Sequence, residues 1–296
     1  MKTRTYNTVY DWLGEDATPK ISIGLLTFNH EKYIKKALCS VLEQVCSEPV
    51  ELIIHDDCST DETRQIIESM LPSHAPNVRR LYNTENQHSQ NIKIGIIPFL
   101  HAKGQYITVL DGDDFWSGDI YRLEKMSRAM DQEPEIAFCF TDVKKFDNNT
   151  PNERLPHLPQ AMKRNVPSYD LSILNYSFIH IGASLFRNVV KHFPDHFYLQ
   201  HHGDTFLPLI WSEFGYAKFI EDAGELNYRI HQKGIYNGQS DQKKIIQRLI
   251  FACQVTSYLL EKGNLEGAVY QSWRFEPLIN AYEKTKFKKQ RDAQNS

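Results

Sequence analysis

Between residues 20 and 143, apolar runs of strand length alternate with amphipathic, helix-spaced segments, and each run ends in a polar turn. This rhythm constrains the fold more than any other feature of the chain. Residues 21–27, ISIGLLT, are too short for a buried helix and read as a strand buried on both faces. After Asn29, expected as an N-cap, Ile34, Ala37, Leu38, Val41, Leu42 and Val45 share one helix face. Pro49 stops that helix and 50–55 supplies the next strand, completing a right-handed βαβ unit. The Ser59 to Glu62 spacing predicts a capping box before a helix that carries Ile66, Ile67 and Met70 and stops at Pro72. Further strands are expected at 78–82, 105–110 and 136–143, with helices at 91–103, interrupted by Pro98, and at 120–130. The prediction is an open, mostly parallel α/β sheet, doubly wound with helices on both faces.

Outside this core the pattern changes. Pro151, Pro156, Pro159 and Pro167 predict a surface loop or flap over 147–168. An amphipathic helix returns at 242–261, and the tail from 283 is polar, basic and expected to fray. The reading is therefore an extension at 1–19, a main domain at 20–240 and a C-terminal helical region at 241–296. The main domain divides into a nucleotide-binding half at 20–115 and an acceptor half at 116–240.

Composition removes whole classes of function. With 34 basic and 37 acidic residues the net charge is -3, which offers no excess to neutralise nucleic acid. No apolar run approaches the ~20 residues that cross a bilayer. The polar N-terminus lacks the apolar core of a signal peptide, which points to the cytoplasm. Five cysteines without a C-x-x-C pair fit reduced thiols.

In an open α/β sheet ligands bind beyond the carboxyl ends of the strands, so the polar residues there are the site candidates: 27–29, Asp56 and Asp57, 83–86, and Asp111, Asp113 and Asp114. Three carboxylates within four residues beside a buried strand repel one another, and Mg²⁺ or Mn²⁺ would relieve that repulsion. Equally, Asp113 could cap the following helix while the others face water. A carboxylate at 56 or 57 can accept a hydrogen bond from a base imide or a ribose hydroxyl, or simply close a polar turn. No P-loop and no G-x-G-x-x-G turn follows the first strand, which disfavours an NTPase or a dinucleotide-dependent dehydrogenase.

In order, ISIGLLTFNHEKYIKKALCSVLEQ, ELIIHDDCSTDET and GQYITVLDGDDFW resemble the first βα unit, the Asp-Asp-Gly-Ser-x-Asp segment and the D-x-D strand of family 2 inverting glycosyltransferases of the GT-A fold. The resemblance is to bacterial enzymes of surface polysaccharide synthesis in particular. It extends to HHGDTFLPLIWSEFGYAKFIEDAGELNYRIHQKG and covers about residues 20–240. Cys58 stands where the family usually has Gly, and contacts within 86–93 are left unassigned.

The resemblance implies a nucleotide-sugar donor, by default a UDP-sugar, a saccharide or lipid-linked saccharide acceptor, and a Mn²⁺ or Mg²⁺ ion. It implies that Thr27 and Asn29 line the nucleotide pocket and that Asp57, with Asp56, reads the base. Asp111 would meet ribose or metal, Asp113 metal and diphosphate, His231 metal or diphosphate, and Asp204 would be the catalytic base. Before the resemblance, Asp204 reads as a helix N-cap. Trp116, directly after the carboxylates, is expected on the acceptor side. A sugar-nucleotide pyrophosphorylase and a non-catalytic nucleotide-sugar binder are the other readings. Lys284, Lys286, Lys288, Lys289 and Arg291 could hold the tail at an anionic membrane face or stand in solvent.

Overall fold

The computed structural model describes residues 6–147, 150–156, 158, 160–173, 179–231 and 239–294. In chain order the larger sheets use strands β1 (Ile21–Thr27), β2 (Val50–Asp56), β3 (Val78–Tyr82), β4 (Tyr106–Asp111), β5 (Phe115–Ser117), β6 (Ile136–Phe140), β7 (Asp142–Asp147), β8 (Thr150–Pro156), β9 (Ser184–Arg187), β10 (Tyr216–Phe219) and β11 (Glu225–Ile230). The principal helices are α1 (Ile34–Leu42), α2 (Thr63–Met70), α3 (Ile97–His101), α4 (Arg122–Gln132), α5 (Ser168–Ile173), α6 (Gly203–Trp211), α7 (Asp241–Glu261), α8 (Leu265–Ser272) and α9 (Phe275–Gln294).

The main sheet runs β10-β6-β9-β4-β1-β2-β3, parallel except at β9, which is antiparallel to both β4 and β6. Every residue of β1 is buried, as its unbroken apolar sequence requires. Ile21, Ile23 and Leu25 join one core cluster and Leu26 the other, one cluster on each face of the sheet. Helix α3 lies directly against β1, since a Cβ on Gly24 would fall 2.4 Å from Pro98 Cβ. Pro98 is therefore no interruption: it occupies the first turn of α3, where a missing N–H costs nothing.

The expected strand 136–143 is two strands in two sheets. The chain leaves the main sheet at Thr141, whose N–H donates to Ala183 O, and enters a second sheet ordered β8-β7-β11-β5. The buried Arg122 guanidinium ties this corner together through Thr141 Oγ1 and the carbonyls of Ala183 and Ala223. Part of the expected flap at 147–168 is strand pairing, with β8 antiparallel to β7 and Val166 bridging to Ala217; its residues 148, 149, 157 and 159 lie outside the described residues.

Both ends of the chain are part of the packing. A short helix, Val9–Leu13, is closed by a Thr8–Asp11 capping box and places Val9, Trp12 and Leu13 in the core. Helix α7 packs on α6, with Phe251 and Tyr258 against Phe206 at ring distances of 6.1 and 5.4 Å, and α8 and α9 pack on α7. Helix α9 continues to Gln294 where fraying was expected. All five cysteines are free thiols. Among the described residues no helix is long and apolar enough to cross a membrane.

Candidate functional site

Strand register sets the site. Thr27 pairs with Asp56 across β1 and β2, and Leu26 pairs with Asp111 across β1 and β4, so three strand ends deliver Thr27, Asp56 and Asp111 side by side. Thr27 is buried and its Oγ1 has no hydrogen-bond partner. The turn after β1 and the turn after β2 are stitched together. Asn29 N–H donates to Ser59 Oγ at 2.8 Å, Thr60 N–H donates to Asn29 Oδ1 at 2.8 Å, and His30 N–H donates to Thr63 Oγ1 at 2.8 Å.

Two expected caps are therefore absent, because both side chains serve this seam. Asn29 bonds Thr60 rather than the start of α1, and Ser59 bonds Asp56 rather than the start of α2. Asn29 and Cys58 hold positive φ, 54° and 68°. The left-handed conformation at 58 explains why a glycine suits that position.

Asp56 and Asp57 are both fully buried. Asp56 accepts from Ser59 N–H at 2.9 Å, Ser59 Oγ at 2.5 Å and Arg64 Nε at 2.5 Å. Asp57 accepts from Asn83 Nδ2, Gln87 N–H and His88 N–H at 2.9, 2.8 and 2.9 Å. Burial pushes the Asp57 carboxyl up, but the donors from His88, Asn83 and Gln87 outweigh it and hold it below the ordinary range. Both carboxylates, expected at the base, thus already have protein donors. In this structure they brace the turns around the cleft, and Asp57 anchors the start of the 86–93 segment left unassigned from sequence.

The segment Asp111-Gly112-Asp113-Asp114 folds tightly under β1. Gly112 N–H donates to Leu26 O at 2.7 Å, and a Cβ there would stand 2.8 Å from His30 Nδ1 and 3.1 Å from Leu26 O. Asp113 Oδ2 lies 2.9 Å from His231 Nε2 and 3.9 Å from His30 Nε2. Asp114 is buried; its Oδ1 accepts from Arg229 N–H at 2.8 Å while Oδ2 has no partner. Burial, then the charges of Asp113 and Asp204, push the Asp111 carboxyl up to about 7. Burial, then the charges of Asp113 and Asp111, push Asp114 well up. The cluster is short of positive charge, and its oxygen donors with one imidazole match what Mg²⁺ and Mn²⁺ accept. Among the described residues no three such side chains form a ready-made metal cage. That too fits ions that take one or two carboxylates and complete their shell with waters and substrate phosphates.

Asp204 is the second residue of α6, near the positive end of the helix dipole. It is exposed, and His202 holds the N-cap position, so Asp204 is not the cap. Its Oδ1 accepts only from Thr205, at N–H and Oγ1. The charge of Asp204 acts on Asp111, His180 and Tyr228, which brings it into the same cleft across a long sequence gap.

Trp116, expected on the acceptor side, is 4% exposed and packed in the core, with Nε1 donating to Gly182 O at 2.7 Å. Phe28, within the strand-end turn 27–29 singled out from the sequence, is 40% exposed beyond β1. Residues to which the sequence gave no role stand near the carboxylates as well: Arg229 donates from Nε to Asp113 O and stacks on Tyr33 at 4.5 Å, and His180 and Tyr228 pack together at 5.0 Å. The strand-end rule reaches His30, the next residue after Asn29; the others arrive through tertiary contacts.

Comparison with known proteins agrees with this geometry. The model of the family described as "Glycosyl transferase family 2" matches residues 22–192, more than half of the chain. A putative teichuronic acid biosynthesis glycosyltransferase of Bacillus subtilis, TuaG, is 32% identical over 159 residues, 53% of this chain and 58% of that protein. An uncharacterized protein of Mycobacterium tuberculosis is 31% identical over 170 residues, 56% of this chain and 46% of that protein. The chain thus spans about half the length of these curated relatives. Among solved structures, S. aureus TarS in complex with UDP-GlcNAc superposes with a TM-score of 0.58 at 17% identity, covering 86% of this chain and 73% of that one. The mannosyltransferase PcManGT of Pyrobaculum calidifontis, in complex with GDP-Man and Mn²⁺, gives 0.56 at 17% identity, covering 92% and 79%. At such identities the likeness is one of fold, the GT-A fold.

Proposed function

The chain belongs to glycosyl transferase family 2, and from that premise we propose that it moves a sugar from a UDP-sugar to a hydroxyl of a saccharide or lipid-linked saccharide, with inversion, in surface polysaccharide synthesis. One observation carries the reading. Thr27, Asp56 and Asp111 meet at adjacent strand ends, with the Asp113–His231 pair beside them and the charge of Asp204 reaching Asp111. The UDP-GlcNAc bound to TarS and the polysaccharide pathway in the name of TuaG support the choice of donor and pathway. In this reading 20–115 forms the nucleotide half, 116–240 the acceptor half, and 241–296 the helical cover.

Asp204 takes the proton of the acceptor hydroxyl, and the freed oxygen pair attacks the anomeric carbon as its bond to the diphosphate breaks. Thr27 Oγ1, unpartnered and buried, is available to the nucleotide, and Asn29 shapes the turn beside it. Asp111, Asp113 and His231 would hold Mn²⁺ or Mg²⁺, which when bound neutralises charge on the leaving diphosphate. The Mn²⁺ in PcManGT supports this choice of ion. A lipid-carried acceptor would sit at a cytoplasmic membrane face, to which the basic end of α9 adds attraction.

The test is nucleoside diphosphate release from UDP-GlcNAc, UDP-glucose and UDP-galactose with Mn²⁺, with and without saccharide acceptors. Release stimulated by acceptor supports the transferase. Binding without release would leave a nucleotide-sugar binder, and formation of UTP from the sugar nucleotide and pyrophosphate would identify a pyrophosphorylase.

A further inference from the structure

His180 stands immediately before a single 3₁₀ turn, Ile181–Ala183, which leads into β9. Its Nδ1 accepts the N–H of Gly182 at 3.1 Å. An imidazole whose Nδ1 is an acceptor carries its neutral-state proton on Nε2, so the free edge of the ring is a hydrogen-bond donor. Gly182 permits this fold-back, since a Cβ there would stand 3.4 Å from His180 Nδ1 and 3.2 Å from the Leu226 side chain.

The placement of the ring is set by the sheet. Strand β9 runs antiparallel to β4 with Phe186 opposite Ile107 and Arg187 opposite Tyr106. The turn before β9 is held beside the carboxylate segment by Trp116, whose Nε1–H donates to Gly182 O at 2.7 Å two residues after Asp114. On its other side the ring packs against Tyr228, one residue before the Arg229 that holds Asp114 and Asp113. The titration of His180 feels burial first, which lowers it, and then the charges of Asp204 and Asp113, which raise it. The net direction is downward, in keeping with an Nδ1 that accepts the Gly182 N–H and so belongs to a neutral ring, and the charges of both Asp204 and Asp113 reach it.

The geometry points to His180 as a specificity-determining residue whose Nε2–H donates to a hydroxyl of the sugar being transferred. This inference rests on the sugar-nucleotide reading above. Between an acceptor-side base and a diphosphate-side carboxylate lies the space a donor hexose must fill, and His180 brings to it a neutral donor fixed by its own backbone. A neutral donor suits a hydroxyl, and it discriminates sugars because an epimer or deoxy analogue would lose that hydrogen bond.

Calorimetry on the full chain with Mn²⁺ tests it, comparing UDP with whichever of UDP-GlcNAc, UDP-glucose and UDP-galactose the wild type turns over. His180→Ser keeps an acceptor for Gly182 N–H but cannot reach the sugar, whereas His180→Gln keeps an N–H donor of similar reach. The expected result is unchanged UDP affinity in both variants. UDP-sugar affinity should fall about 10-fold in the Ser variant, the worth of one hydrogen bond to a polar ligand, and be largely restored in the Gln variant. The deoxy donor lacking the contacted hydroxyl should bind wild type and His180→Ser alike. Equal losses for UDP and UDP-sugar, or no loss for either, would overturn the inference and leave His180 a cap for the 3₁₀ turn. If the wild type binds UDP and transfers sugar, such a result counts against His180 alone. If it binds no sugar nucleotide, the functional reading falls first and His180 with it.

Discussion

Asp113 and His231 are 118 positions apart in sequence, yet Asp113 Oδ2 and His231 Nε2 are 2.9 Å apart, joining the turn after β4 to the end of β11. This contact closes the second sheet against the main one at the point where carboxylates are densest. In the proposed reaction the same pair would meet the metal and the diphosphate.

Replacing Asp113 by Ala should abolish the Mn²⁺-dependent part of UDP binding while leaving a weak metal-independent part. Titrations with and without Mn²⁺ measure the difference. Full turnover by metal-stripped wild type in excess EDTA would remove the metal from the mechanism.

Asp204→Asn should keep the fold and the donor affinity and lower kcat by about 10²-fold or more, because an amide cannot take the acceptor's proton. Single-turnover rates at saturating donor report it. Near-wild-type turnover would move the search for the base elsewhere in the cleft.

Asp57→Ala strands the N–H groups of Gln87 and His88 and the Asn83 amide, at a cost of about 1–3 kcal/mol for each donor left buried. Urea unfolding should record the loss, and hydrogen exchange at 87–88 should quicken. UDP binding should weaken through the displaced loop. Unchanged exchange there would deny Asp57 its anchoring role.

The same residue carries a pH signature. Its folded pKa lies below the ordinary 3.8, so its contribution to stability is complete above that value and is lost as the pH falls through the lower, folded value. Wild type should therefore lose stability in that acid range, and Asp57→Asn, already less stable near neutrality, should lose less of its remainder there. Parallel stability curves for the two proteins from pH 5 downward would refute it.

Gly112→Ala tests the tight turn without touching a charge. Its Cβ would meet His30 Nδ1 at 2.8 Å and Leu26 O at 3.1 Å, the second a backbone atom of the central strand. Overpacking of this kind costs about 1–3 kcal/mol. A thermal midpoint equal to wild type would show that the turn shifts freely.

Periodicity and strand-end chemistry in the sequence alone determined the parallel core, its helices and the cluster Asp111 to Asp114, because each rests on contacts within a strand, helix or turn. Register of apolar runs against a buried sheet also made Thr27, Asp56 and Asp111 neighbours. What only the tertiary structure decided was which way these groups face. Local spacing made Ser59, Asn29 and Asp204 caps, but long-range partners took Ser59 and Asn29 for a seam between two turns, and His202 took the N-cap of α6. Trp116 went to the core because Gly182 offered its indole N–H a buried carbonyl. Asp56 and Asp57 turned inward because Arg64, Ser59, Asn83 and the 87–88 amides supply donors that only the folded chain brings within reach. His180 and His231 reached the cleft by crossovers between two sheets, and no pattern in the neighbouring residues encodes a contact whose partner lies dozens of positions away.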